Sequence, residues 1–337
     1  MKKKLLGIIL AAVMVCGLAA CGSQPSGDAG AGSAAGEAGG TGEAQYTVGV
    51  CQLMQHEALD AATQGFQDAL NDIMGEGVVK VDVQNAQGDS NTCSTITNSF
   101  VSQGVDLIMA NATPALQAAQ AATADIPILG TSVTEYGVAL GIEGFDGLVG
   151  GNISGTSDLA PLDKQAEQIQ QLYPVADYAN VGLLYCSAEA NSQYQVDTVK
   201  GYLEAAGYTC EYYAFSDSND LNSVVTTAAA KCDLLFVPTD NTVASNAEII
   251  QNVCAPASIP VYGGDSGICA GCGTVTIAVG YYDIGYKTGE MAAAILKGEA
   301  NISEMPIEYS ENIATKYNPA NCEALGVTPP ADAEALE

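Results

Sequence analysis

The chain has 337 residues and a formal net charge of −29, set by 39 acidic residues against 10 basic ones. That balance excludes partners that need a basic surface, such as nucleic acid and heparin. All ten basic residues are lysines, so no bidentate guanidinium is present to grip an anionic ligand group.

Lys2, Lys3 and Lys4 precede an apolar stretch from Leu5 to Ala20, which ends in Leu18-Ala19-Ala20-Cys21. A positive start, a short apolar run and small residues before the cut are the pattern of a secretory signal, expected over residues 1–20. The run is short for a membrane-spanning helix of about 20 residues. Leu-Ala-Ala-Cys resembles the lipobox of bacterial lipoproteins, whose cysteine is lipidated and becomes the new N-terminus. Cys21 is therefore the expected lipidation site, and the outer face of the cytoplasmic membrane the expected location. Residues 21–44 are almost wholly small or acidic and read as a flexible tether.

The folded part opens with "YTVGVCQL", an apolar strand, followed by "ALDAATQGFQDALNDI". In that stretch Leu59, Ala62, Phe66, Ala69 and Leu70 share one helical face. "VKVDVQNA", a helix from Ser94 to Gln103, "VDLIMANA", "TPALQAAQAA" and "IPILGTSV" continue the alternation. This is βαβα grammar and implies parallel sheets covered on both faces. The second half repeats it: "ANVGLLYCS" matches "YTVGVCQL", "CDLLFVPTDNTVASNAE" matches "VDLIMANATPALQAAQA", and "SIPVYGGDS" matches "DIPILGTSV". The fold class expected is α/β, with two similar Rossmann-like lobes joined by hinge crossovers.

In such sheets ligands sit beyond the carboxyl ends of the strands, where helix N-termini converge. The corners there in the first half are neutral: Gln55 and His56, Asn85 and Gln87, Thr113, and Thr131 with Ser132. Those in the second half carry acids: Ser187, Glu189 and Asn191; Thr239, Asp240, Asn241 and Thr242; and Asp265. A zwitterionic amino acid fits this asymmetry. Its ammonium would pair with Asp240, Asp265 or Glu189, and its carboxylate would meet hydroxyls and helix N–H groups near Thr113 and Ser132. Asp240 also stands where an ordinary helix cap would, and the two duties are compatible. Tyr185, Tyr281 and Tyr282 lie where they could pack either in the core or against an aromatic ligand.

Other chemistry finds less support. Gly264-Asp265-Ser266-Gly267 mimics a serine-protease nucleophile, but the chain's one histidine, His56, follows a strand of a different fold class. No GxxxxGK[ST] loop is present. Eleven cysteines include a single CxxC, Cys269 to Cys272, which allows a local disulfide rather than a metal or redox centre. No cofactor and no metal are expected.

The stretches "HEALDAATQGFQDAL", "VQNAQGDSNT", "ANATPALQAA", "NISGTSD", "SAEANSQYQV", "VPTDNTVASN", "IPVYGGDS" and "YYDIGYKTGEMAAAILKGE", taken in order and with the lipobox, resemble one family. It is that of ABC-transporter substrate-binding lipoproteins with the type-I periplasmic-binding-protein fold, and most closely its branch associated with aromatic amino-acid uptake. The resemblance implies lobe one at residues 45–153 plus 276–301 and lobe two at 154–275 plus 302–330, with 331–337 left as an acidic tail. It also implies a monomeric, non-enzymatic protein that delivers tryptophan, tyrosine or phenylalanine to a permease with a cytoplasmic ATPase. A ligand sensor for a membrane receptor is the alternative; an extracytoplasmic hydrolase is a third, remote one.

Overall fold

The structure, a computed structural model, describes residues 44–336. The first half forms β1 (Tyr46–Gln52), α1 (Glu57–Met74), β2 (Val79–Asn85), α2 (Ser90–Gln103), β3 (Leu107–Asn111), α3 (Thr113–Ala122), β4 (Ile128–Thr131), α4 (Tyr136–Leu140) and β5 (Ile153–Ser157). Next come α5 (Leu162–Leu172), β6 (Asn180–Cys186), α6 (Ala190–Ala205), β7 (Thr209–Phe215), α7 (Ser218–Ala229), β8 (Leu234–Val237), α8 (Asn241–Ala244), α9 (Ala247–Ala257), β9 (Val261–Gly263) and α10 (Ser266–Gly271). The chain ends with β10 (Val275–Val279), α11 (Tyr281–Leu296), β11 (Glu308–Tyr309), β12 (Ile313–Tyr317), α12 (Pro319–Leu325) and β13 (Glu334–Ala335).

One parallel sheet has the order β11-β5-β4-β3-β1-β2 and a second the order β7-β6-β8-β9. In each, the first strand of its half lies between the second and the third. The repeat in the sequence is thus a repeat of topology. Winding reverses direction beside β1 and beside β6, and the loops after the strands on either side open there.

Local sequence explains the layering. β3 and β8 are buried at every position, as continuous apolar runs must be in a sheet covered on both faces. The edge strand β7 instead buries Tyr213 and Phe215 and exposes Tyr212 between its two faces. Every residue of the predicted α1 stripe, from Leu59 to Leu70, is buried. Phe66 is fully enclosed in that core, and its truncation to alanine would cost about 3–5 kcal/mol. α11 docks on α1 at backbone distance: a Cβ on Gly285 would collide with the Ala62 carbonyl, and one on Gly65 with the Tyr282 carbonyl. Only glycine permits this approach.

The crossovers differ in detail from the expected division. β10 pairs antiparallel with β12, outside the first sheet. Gln165 of α5 ties β10 to the second lobe by donating to the Ile277 and Gly264 carbonyls. Residues 302–309, expected in lobe two, return to the first sheet, where β11 pairs with β5 and Ile307 enters the first core. The acidic tail supplies β13, which pairs with β12.

Candidate functional site

The carboxyl ends of the two sheets face one another across a cavity of about 720 Å³. Gln55, Asn85 and Gln87 line it from the first lobe, and Glu189, Ser218 and Thr242 from the second. This is the mouth of the cleft.

Behind it, the acidic corners of the second lobe divide into used and unused carboxylates. Asp240 is fully buried, and both its oxygens are taken by main-chain donors. Oδ1 accepts the Val243 N–H at 2.9 Å, a helix cap, and Oδ2 accepts the Cys186 N–H at 2.7 Å, tying the ends of β6 and β8 together. Burial, with the Glu189 charge adding to it, pushes its pKa well above the carboxylate range. The structure gives Asp240 a scaffold role, with two of its roughly four lone-pair sites taken by the main chain. Glu189 is saturated. Its Oε2 accepts from the Asn241 N–H and Nδ2, and its Oε1 from the Thr242 N–H and hydroxyl, at 2.7–3.1 Å. These four donors, with Asn191 Nδ2 a longer fifth on Oε2 at 3.4 Å, fill the roughly four lone-pair sites of a carboxylate and leave none for an ammonium.

Several other expected contacts hold the corners themselves. Asn191 Nδ2 donates to the Thr239 carbonyl, and the Thr239 hydroxyl to the Gly264 carbonyl. The exposed Ser187 hydroxyl turns back to the Phe215 carbonyl. Thr131 joins a buried chain of hydroxyls through Thr156 to Thr288, which stitches β4, β5 and α11. Tyr185 is core, edge-on to Tyr212, and Tyr282 faces outward with its hydroxyl on Asp68. Neither reaches the cleft as an aromatic wall.

The hinge end of the cleft holds the unused groups. Asp158 follows β5 at the crossover; Tyr281, the first residue of α11, donates its hydroxyl to Asp158 Oδ2 at 2.8 Å. Asp158 Oδ1 is buried and has no hydrogen-bond partner. Burial raises the pKa of Asp158. Asp265 spends Oδ1 on the Ile268 N–H, and burial chiefly, with the Asp158 charge also opposing its ionisation, pushes its pKa up to about 7. The salt bridges among the described residues all involve partly or fully exposed lysines, and none reaches these acids. Asp158 is not among the residues expected from the sequence, since a loop rather than a helix start follows it. Its signal was the stretch "NISGTSD", which ends on it.

The neutral corners of the first lobe are strained. Gln87, Ala112 and Ser132 adopt φ of 55°, 91° and 54°, left-handed values that cost non-glycine residues energy and cluster at functional sites. They follow β2, β3 and β4 in turn. Ala112 precedes Thr113 at the start of α3, and the buried Ser132 hydroxyl has no partner. Between the mouth and the hinge end, His56 Nε2 lies 3.1 Å from Asn241 Oδ1, joining the two lobes.

Ser266 is the first residue of helix α10 rather than an exposed nucleophile, and the lone histidine is engaged with Asn241. All nine cysteines among the described residues are free, Cys269 and Cys272 included, so the local disulfide that the CxxC allows is not formed. Their thiols pack as small hydrophobes, and Cys272 donates to the Ile268 carbonyl. Among the described residues no group of three or more His, Cys, Asp or Glu side chains is arranged to hold a metal.

Comparison with known proteins bears on this site. A family model described as "ABC transporter substrate binding protein" matches residues 47–334. A tyrosine-binding protein of Clostridioides difficile is 35% identical over 286 residues, covering 83% of this chain and 81% of that one. The structure of an ABC domain from Streptococcus pneumonia in complex with L-Trp superposes with a TM-score of 0.82 at 31% identity, covering 87% of this chain and 100% of its own. The ligand-free, open structure of a substrate binding protein with adhesive properties from Clostridium difficile gives 0.66 at 35% identity, covering 87% and 99%.

Proposed function

The chain belongs to the ABC transporter substrate-binding protein family, and on that premise we propose that it captures an amino acid between its lobes and delivers it to a membrane permease driven by an ATPase. It is a binding module rather than an enzyme, and it works outside the cytoplasm. Tryptophan, tyrosine and phenylalanine are the favoured ligands, supported by the tyrosine-binding relative and the tryptophan-bound neighbour. Anchoring through a lipid on Cys21, which lies outside the described residues, completes the reading.

The observation that carries it is the unpartnered Asp158 Oδ1 at the hinge end of an interlobe cleft. A buried carboxylate without a cation is costly, and a primary ammonium supplies the missing charge and hydrogen bond together. Asp265 stands on the second lobe, where the Asp158 charge opposes its ionisation, and an ammonium would favour both carboxylates. The ligand carboxylate would turn to Ser132 and to the N-terminus of α3 at Thr113, where the helix dipole and free N–H groups favour an anion.

Closure follows from the same geometry. A ligand that bonds Asp158 and Ser132 on one side and Asp265 on the other binds the closed arrangement better than the open one, and so shifts the population towards it. The chain superposes better on the tryptophan-bound structure than on the open one, which supports reading the present arrangement as closed. Exclusion of water then strengthens each charge contact.

A thermal-shift screen of the twenty amino acids tests the proposal, because a ligand that binds only the native state raises its stability, by about 2.7 kcal/mol at a hundred times Kd. An aromatic amino acid should give the largest shift. Stabilisation by a sugar and by no amino acid would reject the reading.

A further inference from the structure

We propose that His56 and Asn241 form a latch between the lobes, aligned by Glu189, that sets how long a bound ligand is retained. The inference rests on the amino-acid reading above and concerns release rather than recognition.

His56 occupies the N-cap position of α1 yet makes no side-chain cap bond, unlike Asp89, Asp217, Asp240 and Asp265 at other helix starts. Its ring instead reaches across to Asn241, the first residue of α8. The orientation of the Asn241 amide is dictated by its other neighbour. A carboxylate only accepts, so Nδ2 must face Glu189 Oε2, 2.7 Å away, and Oδ1 is left for the histidine. His56 Nε2 must then carry the proton and donate. Burial lowers the His56 pKa, against the opposing pull of the Glu189, Asp60 and Glu57 charges, which keeps the ring neutral with that tautomer.

Glu189 holds Asn241 by two bonds and Thr242 by two more, so the acceptor offered to His56 is fixed before the lobes meet. One turn further along, the Ser245 hydroxyl donates to Met54 Sδ at 2.8 Å, so the loop after β1 meets α8 at two points. Met54, Gln55, Thr242 and Ser245 line the mouth cavity, whereas His56 and Asn241 do not. The pair borders it, each member next in sequence to a lining residue. The bond between them forms without a ligand atom, which marks them as positioning residues.

The chain contains no tryptophan, so added L-tryptophan, excited beyond the absorption of the 16 tyrosines, reports its own binding. Stopped-flow kinetics with that probe on wild type, His56→Ala, Asn241→Ala and the double variant form the test. Each single substitution should raise the dissociation rate about ten-fold, the scale of one lost hydrogen bond, and leave the association rate within about three-fold. The double variant should release no faster than either single, because one bond is broken once. Additive losses, or losses confined to association, would mean that each residue meets the ligand separately and would overturn the latch. Asn241→Ser serves if Asn241→Ala does not fold, and His56→Gln, which retains a donor, should restore part of the retention. Equilibrium binding of L-tryptophan to wild type, read in the same cuvette, judges the amino-acid reading on its own.

Discussion

The hydroxyl of Tyr281 donates to Asp158 Oδ2 at 2.8 Å, while the other oxygen of the same carboxylate is buried without a partner. The tyrosine thereby fixes the plane of the carboxylate and leaves Oδ1 without a donor. Tyr281 comes from the start of α11 and Asp158 from the end of β5, so two of the interlobe crossovers meet at this bond. A ligand held there touches the hinge itself.

Asp158→Asn should therefore weaken amino-acid binding by roughly 2–5 kcal/mol, the cost of leaving one partner of a buried charge pair alone. The empty protein should melt no lower, since a buried charge has been removed from it. Tyr281→Phe removes only the orienting bond and should cost about 1 kcal/mol of affinity. Calorimetry and melting curves on both variants check this. Parental affinity in Asp158→Asn would transfer the ammonium to Asp265.

Asp240 should behave as a structural group. Asparagine caps a helix about as well as aspartate when only one oxygen is used. Here both oxygens accept main-chain N–H groups, and the Nδ2 of an asparagine would face one of them donor to donor. Asp240→Asn should thus destabilise the empty protein by about 1–3 kcal/mol, visible as a lower melting temperature. An unchanged melting temperature with lost affinity would restore Asp240 to the ligand.

Binding should depend on pH through Asp265, whose pKa stands at about 7 without a cation beside it. This folded-state value is raised above the unfolded one, so the native protein holds the extra proton and loses stability as pH rises from about 4 to about 7. An ammonium beside Asp265 favours its ionised form, so binding releases protons in that window and affinity increases with pH. His56, whose pKa burial lowers, contributes in the same direction. Titrations at pH 5, 6 and 7 should show rising affinity, flattened by Asp265→Asn more than by His56→Ala. A slope unaffected by Asp265→Asn would place the titrating group elsewhere.

Cys21→Ala should release the protein from the membrane fraction without unfolding its soluble part. Mass spectrometry of the mature N-terminus decides the matter: a lipidated cysteine is expected, and an unmodified start at another residue would contradict it.

Much of the fold was legible because local signals and tertiary burial agree. The α1 stripe from Leu59 to Leu70 and the paired Ile126-Pro127 and Ile259-Pro260 strand starts reflect one topology used twice. The site was legible only to the level of corners. That Asp240 ties two strand ends depends on the Cys186 N–H, 54 residues earlier, and no local pattern encodes such a contact. Asp158 precedes a crossover, and no helix start beside it marks the acid in the sequence. The α11 docking on α1 needed glycines whose spacing alone looks like ordinary helix composition.

Calorimetric titration of the wild-type protein with L-tryptophan, L-tyrosine and L-phenylalanine, beside leucine, ribose and N-acetyl-L-tyrosine, tests the central claim most directly. An ammonium held by Asp158 and Asp265 in an aromatic-selective cleft predicts tight binding of a free aromatic amino acid and weaker binding of leucine. It also predicts loss of at least about 2 kcal/mol when the amine is acetylated, since the buried carboxylate then loses its cation. Equal binding of L-tyrosine and its N-acetyl form, or a preference for ribose over every amino acid, would contradict it.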